Sequence, residues 1–275
     1  MSEYDPAAFD AFEEAGWTTK ESAAYESLAG RVTSGFADAL LDAVGTGAGT
    51  RLLDVATGHG YVAARGQERG ADVVGLDFSE KMLASARSRA RNVEFVRGDA
   101  TALAFEDATF DAVTGAFVIL HLGRPEQAVA EAWRVLASEG RAAFTVWDEP
   151  SRSRWIGVLF DAFMAAGGQL PADVPHGPPI FKYADDREFE ELLAGAGFDD
   201  VGVEAHEHTL RIDDATELWD GLAEGSVRLR PMMLGQPEDL QGKIRRRFDE
   251  LLEAYRTDRG LEVPVAVKLA SGRKP

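Results

Sequence analysis

Apolar positions follow two rhythms along this chain. From residue 7 to 44 they recur at intervals of three and four. "AAFDAFEEAGW" is followed by Tyr25, Leu28, Val32, Phe36, Leu40 and Leu41 on one helical face. After the turn "GTGAG" (45–49) the pattern becomes short continuous apolar runs separated by helical stretches. "RLLDVA" (51–56), "DVVGLD" (72–77), "VEFVRGD" (93–99), the opening of "FDAVTGAFVIL" (110–120) and "RAAFTVW" (141–147) read as five strands. Between them helices are predicted at Tyr61–Glu68, after a Ser79 cap, and from Pro125 to before Gly140. Strands this uniformly apolar belong to a parallel sheet covered by helices on both faces.

Beyond residue 150 the alternation loosens. "RSRWIGVLFDAFMAAGG" is amphipathic, and the Pro- and Gly-rich "LPADVPHGPP" is too long for a simple connector. "REFEELLAGAGF" returns to a helix, "VGVEAHEHTLRI" (201–212) alternates like a strand, and residues 214–257 carry a helical stripe at Leu240, Ile244, Phe248, Leu251 and Tyr255. "VPVAVKLAS" (263–271) closes the chain as a strand. The expectation is a single domain over 1–275: an α/β core at 45–150, with helical cap segments at 1–44, 151–183 and 213–260.

Composition narrows the partner. The chain carries 29 basic against 47 acidic residues, a net charge of −18, which repels phosphate backbones and anionic membranes. The triplet "RRR" (245–247) sits among acids and reads as a solvated helix face. There is no cysteine, so thiolate chemistry and cysteine metal sites are excluded. No apolar run is long enough to span a bilayer, and the start "MSEYDPAAFD" lacks a signal-peptide pattern. A cytoplasmic protein with a small-molecule partner, no nucleic acid and no membrane insertion is expected; the oligomeric state is not legible.

The chemistry concentrates in "LLDVATGHGYVA" (52–63). From Gly58 it also reads G-x-G-x-x-A, so the loop alone admits a dinucleotide or another nucleoside. Three acids end successive strands: Asp54, Asp77 and Asp99. Asp77 is placed to accept bonds from ribose hydroxyls, and Asp99, followed by Ala100, to meet a purine amino group. A carboxylate at Asp54 disfavours a pyrophosphate and favours a ligand carrying an ammonium and a sulfonium. That choice leans to S-adenosylmethionine.

With these segments in view, residues 51–147 resemble the core of the class I S-adenosylmethionine-dependent methyltransferases. They are most similar to the small-molecule group related to the ubiquinone/menaquinone biosynthesis methyltransferases (methyltransferase type 11 domain). The resemblance rests on "LLDVATGHGYVA", "VVGLDFSEKML", "VEFVRGDATALAFEDATFDAV", "FVILHL" and "EAWRVLASEGR". It implies a Rossmann-like, seven-stranded, mostly parallel sheet with an antiparallel last strand and an added helical cap. Residue by residue, it assigns the glycine loop to Ala56, Gly58 and Gly60, the ribose acid to Asp77, the adenine-side acid to Asp99, and adenine packing to Phe78 and Met82. With Asp54, Thr57, Ala100 and Phe117 these form the candidate cofactor set. Ala56 replaces a glycine of the family; alanine is acceptable there if φ is negative and its Cβ points away from the ligand.

Of the five histidines, His121, just past strand four, is the candidate general base. His59 is expected to point outward or to contact the methionine portion. His206 and His208 share a strand face without a third ligand, so no metal is expected. The pairs Asp185/Asp186, Asp199/Asp200 and Asp213/Asp214 read as caps and turns. The candidate acceptor set is Trp17, Tyr25, Trp147, His176, Phe181 and Arg228, the arginine suited to an acidic acceptor. Two other readings stand beside methyl transfer: the same fold as a cofactor-dependent cyclase or binding module, and an NAD(P)-dependent oxidoreductase.

Overall fold

The structure, a computed structural model, describes residues 4–19, 28–172 and 174–275; Tyr25 lies outside them. In chain order the described elements begin with α1 (Pro6–Thr19), α2 (Ala29–Ser34), α3 (Ala37–Ala43), β1 (Arg51–Val55), α4 (Tyr61–Glu68), β2 (Asp72–Asp77) and α5 (Glu80–Arg89). There follow β3 (Glu94–Arg97), β4 (Phe110–Ala116), a 3-10 turn (Val118–His121), α6 (Pro125–Val135), β5 (Leu136–Trp147), α7 (Arg154–Ala165) and α8 (Asp186–Gly195). The chain ends with β6 (Asp199–Ile212), α9 (Ala215–Gly225), α10 (Leu229–Leu234), α11 (Glu238–Leu252), β7 (Arg256–Thr257) and β8 (Gly260–Arg273). It divides into two compact units: a sheet unit of Thr33–Trp147, Pro178–His206 and Val267–Pro275, and a second unit of Met1–Val32, Asp148–Gly177 and Glu207–Ala266.

The sheet runs β3-β2-β1-β4-β5-β8-β6, with the two-residue β7 paired to β8. That is the expected seven-stranded sheet plus one short addition. Pairs β1–β2, β2–β3, β1–β4 and β4–β5 are parallel, and β8 runs antiparallel to β5. Chain order therefore reverses between β1 and β4, the point where α/β sheets of this kind open a ligand crevice. Right-handed crossovers in opposite directions put their helices on opposite faces. On one face Leu40 and Leu41 of α3, Val62 and Ala63 of α4, and Leu83 and Ala86 of α5 bury against Leu52, Val73 and Phe95. Successive strand residues alternate sides, so Leu53 and Val113, both fully buried, are covered from the other face. There α6, started by Pro125 at its first turn, packs on β5 and on α8.

Two helix starts are capped by acids of the predicted pairs. Asp185 accepts from Glu188 N, and Asp214 from Thr216 N and Glu217 N, as the acidic pairs suggested. Ser79 occupies the N-cap of α5 but makes no side-chain cap bond; its own N–H donates to Asp77 instead. In the second unit α7 packs on α11, burying Trp155, Leu159 and Phe163 on one helix and Ile244, Phe248 and Leu252 on the other. The long helix predicted over 214–257 is three, the last entered through Pro237, which has no N–H to continue a preceding helix. The "RRR" run is a solvated face in which Arg245 pairs with Asp249 and Arg247 with Glu250. Among the described residues no helix is long and apolar enough to cross a membrane, and no group of three His, Asp or Glu is arranged to hold a metal.

Candidate functional site

The loop 56–60 leaves β1 and enters α4 through three left-handed residues: Ala56 (φ 54°), Gly58 (φ 54°) and Gly60 (φ 75°). The expectation for Ala56 is thereby corrected: the turn needs positive φ at that position, and alanine adopts it at a cost of about 1–2 kcal/mol. Such strain persists only where surrounding contacts over-determine the backbone. Here they do. Thr57 N donates to Leu76 O at 2.9 Å, Gly60 N to Thr57 O at 2.8 Å, and Gly58 N to Asp77 Oδ2 at 2.9 Å. A Cβ at Gly60 would stand 3.0 Å from the Ala86 methyl, so the loop rests on α5 there. A Cβ at Gly58 would meet only the Ala56 carbonyl at 4.0 Å, so this part of the loop borders open space.

Both strand-end acids beside the loop are buried. Asp54 sits between Gly75 and Thr114 in the register of β2–β1–β4, and is 1% exposed. Its Oδ2 accepts from Thr57 Oγ1 at 2.6 Å and its Oδ1 from Thr114 Oγ1 at 3.0 Å, with Ala63 N as a further donor. Asp77, 5% exposed, accepts from Ser79 N and Gly58 N at 2.9 Å each, and from Phe78 N. Desolvation pushes each carboxyl from the usual 3.8 up to about 6, against the opposing pull of these donors. Asp77 thus holds loop and strand end together, while Asp54 braces the loop from beneath.

The remaining cofactor candidates follow the strand ends. Phe78 is half-buried and Met82, in the first turn of α5, is buried. Asp99 is exposed, its Oδ1 taking both Thr101 N and Thr101 Oγ1 at 2.8 Å, and Ala100 beside it is buried. Phe117, past β4, is left-handed (φ 61°) and stacks on Trp147 at the end of β5, with ring centroids 4.0 Å apart and planes at 26°. Phe117 N donates to Thr145 O at 3.1 Å, which fixes this turn. His121 ends the 3-10 turn, half-buried; Phe181 is half-buried as well.

Three candidates belong to the second unit. Trp17 donates through Nε1 to Glu13 Oε2 at 2.9 Å. Arg228 lies 3.9 Å from Glu13 Oε1 and stands over the Phe9 ring at 5.1 Å; burial lowers its pKa from the usual value. His176 is exposed. His208 Nε2 is 3.0 Å from Val32 O and His206 3.5 Å from a Glu204 oxygen, roles other than metal ligation.

Sequence reasoning missed two groups. Thr114 braces Asp54, and its signal was a hydroxyl inside the otherwise apolar "DAVTGAFV". His59 does not point outward: it is 1% exposed and turned inward, its Nδ1 2.8 Å from Ser85 Oγ.

The site is thus two buried strand-end carboxylates at the switch point of the sheet, beside a glycine edge that borders open space. Comparison with known proteins gives the particular family. A model described as "Methyltransferase domain" matches residues 53–144. The chain is 33% identical over 170 residues to a demethylmenaquinone methyltransferase of Renibacterium salmoninarum, covering 59% of this chain and 72% of that one. In fold it is similar to a putative methyltransferase of Bacillus halodurans (TM-score 0.57, 22% identity, 87% of this chain and 98% of that one). A phosphoethanolamine N-methyltransferase 2 of Haemonchus contortus, solved with S-adenosyl-L-methionine, is a further neighbour (TM-score 0.50, 21% identity, 88% and 52% covered). The chain belongs to the S-adenosylmethionine-dependent methyltransferases.

Proposed function

We propose that this chain moves the methyl group of S-adenosylmethionine to a small apolar or aromatic acceptor by in-line displacement. One observation carries the reading: two desolvated carboxylates, Asp54 and Asp77, flank a loop whose Gly58 edge is open. Carboxylates there suit hydroxyl donors and positive charge and repel a pyrophosphate, which argues against a nicotinamide cofactor. In this reading Asp77 takes the ribose hydroxyls, and Ala56, Thr57, Gly58 and Gly60 give the methionine side a close backbone approach. Asp54 adds negative charge beneath it. Phe78, Met82 and Phe117 supply apolar packing, and Asp99 with Ala100 N meets the adenine edge.

The bound cofactor supplies an electrophilic methyl on a sulfonium. What the chain contributes is alignment, since holding two reactants in line removes much of the entropic barrier. His121 is assigned the acceptor's proton where the acceptor arrives protonated. Residues 45–150 serve the cofactor. The acceptor is assigned to segments 1–44, 151–183 and 213–260 with Trp147, through Trp17, Tyr25, His176, Phe181 and Arg228. A relative named for demethylmenaquinone, an apolar aromatic molecule, supports this acceptor class. The net charge of −18 supports a free small molecule in the cytoplasm over nucleic acid. Incubation with methyl-labelled cofactor and a panel of quinols and phenols tests the proposal. Label should appear in the acceptor as S-adenosylhomocysteine accumulates. Label kept in the cofactor while a substrate is converted would overturn it in favour of a cyclase-type reaction.

A further inference from the structure

The cofactor reading uses two of the loop's anchors, Asp54 and Asp77, and leaves the third unexplained. His59 is buried, with Nδ1 2.8 Å from Ser85 Oγ on α5. Its carbonyl accepts from Arg89 Nε at 3.0 Å, one turn further along that helix. The Arg89 guanidinium lies 3.8 Å over the ring of Tyr61, which begins α4. Gly60, next in the loop, rests on Ala86. Ser85, Ala86 and Arg89 form one face of α5, so His59, Gly60 and Tyr61 all lean on the same strip of helix.

That helix also carries the other half of the site. It starts directly after Asp77, Phe78 and Ser79, and Met82 lies in its first turn. Besides the Gly58–Asp77 bond, the loop edge and the adenine-side residues are therefore joined through α5, by the His59–Ser85 and Arg89–His59 bonds. We propose that His59 is a positioning residue: through Ser85 it fixes the separation between the Gly58 edge and the Asp77–Met82 side, and so sets affinity for the cofactor. The inference rests on the placement of the cofactor at this loop proposed above.

Isothermal titration with S-adenosylhomocysteine tests it, alongside the melting temperature of each variant. His59→Ala and Ser85→Ala should each weaken binding about 3- to 10-fold, the effect of one buried hydrogen bond. The double variant should be no weaker than the weaker single, because both lose one shared bond. His59→Asn, whose amide nitrogen can take the place of Nδ1, should recover affinity to within about 2-fold. Ser88→Ala removes a 2.7 Å bond to Ser85 O within the same helix and should leave binding unchanged. In turnover, KM for the cofactor should rise while kcat at saturation holds. His59→Ala and Ser85→Ala that melt earlier yet bind like wild type would overturn the inference alone, leaving His59 as packing. Wild-type protein that fails to bind would overturn the cofactor placement and the inference with it.

Discussion

The two units bury ionisable groups in opposite ways. In the sheet unit Asp54 and Asp77 are held by hydroxyls and backbone N–H groups, neutral donors that leave each carboxyl near a pKa of about 6. In the second unit buried acids meet cations: Glu13 faces Arg228 at 3.9 Å, and Asp148, 1% exposed, pairs with Arg152 at 2.9 Å. An acid compensated by a fixed cation is committed to the fold. An acid compensated by neutral dipoles stays responsive, since a ligand that brings donors or positive charge stabilises its ionised form. The comparison therefore predicts ligand-coupled behaviour on one side and stability-coupled behaviour on the other.

The largest effect is expected at Asp77. Asp77→Ala removes the acceptor proposed for the ribose hydroxyls and strands Gly58 N and Ser79 N, so S-adenosylhomocysteine binding should fall about 100-fold or more. Titration calorimetry measures this directly. A loss below 10-fold would place the ribose elsewhere and dissolve the contrast between the units. His121→Ala comes next: removing the proposed general base should lower kcat about 100-fold with the cofactor Kd unchanged. Equal losses in kcat and cofactor affinity would instead make His121 part of the cofactor site.

In the second unit, Arg228→Met should leave the cofactor Kd within about 2-fold. It strips Glu13 of its buried cation and should destabilise the protein by roughly 3 kcal/mol in urea titrations, the usual scale for breaking a buried pair. Glu13→Gln in the same background should restore part of that loss. An accompanying rise in acceptor KM of about 10-fold would assign the arginine to an acidic acceptor as well; no rise would confine it to structure.

The raised carboxylates make a pH prediction with a definite sign. With folded pKa values of about 6 against the usual 3.8, the native state binds protons more readily than the unfolded chain. The contribution of these two groups to stability is thus complete below about pH 4 and is lost as pH rises through about 6. A ligand that donates to ionised Asp77 pulls its pKa back down, so binding near pH 6 should release protons. Cofactor affinity should weaken roughly 10-fold from pH 7 to 5. Titrations in two buffers of different ionisation heat would detect the release, and proton uptake instead would contradict the assignment.

The proposed cofactor half of the site is legible because it is local. An apolar run, an acid and spaced glycines place Asp54, Gly58 and Gly60 within seven residues, and strand periodicity brings Asp77 and Asp99 to neighbouring strand ends. The mostly parallel sheet followed from the same alternation. Contacts that span long separations were not legible. Thr114 reaches Asp54 across 60 residues and Ser85 reaches His59 across 26, and nothing in the local pattern marks either side chain as a partner. The helix breaks at 226–228 and 235–237 lie ahead of the Leu240–Tyr255 stripe, the second of them at Gly235 and Pro237. The proposed acceptor residues are the least legible, being drawn from separate segments of the chain and from types that also build ordinary cores.

The smallest predicted effect bears on the loop itself. Ala56 holds φ 54°, which costs a residue with a Cβ about 1–2 kcal/mol that glycine does not incur. Glycine in turn has more freedom to lose from the unfolded chain, about 0.5–1 kcal/mol. Ala56→Gly should therefore stabilise the protein by about 0.5–1 kcal/mol. Ala108, exposed and also at φ 54°, provides the control within the same unit. If both substitutions stabilise equally, Ala56 is strain without compensation, and the loop is held by its hydrogen bonds alone. If Ala108→Gly stabilises while Ala56→Gly does not, the Ala56 methyl makes contacts worth the difference. The substitution would then loosen the loop, and the mark of that is weaker S-adenosylhomocysteine binding in the same variant. In that case the neutral-donor arrangement around Asp54 and Asp77 depends on side-chain packing as well as on backbone N–H groups.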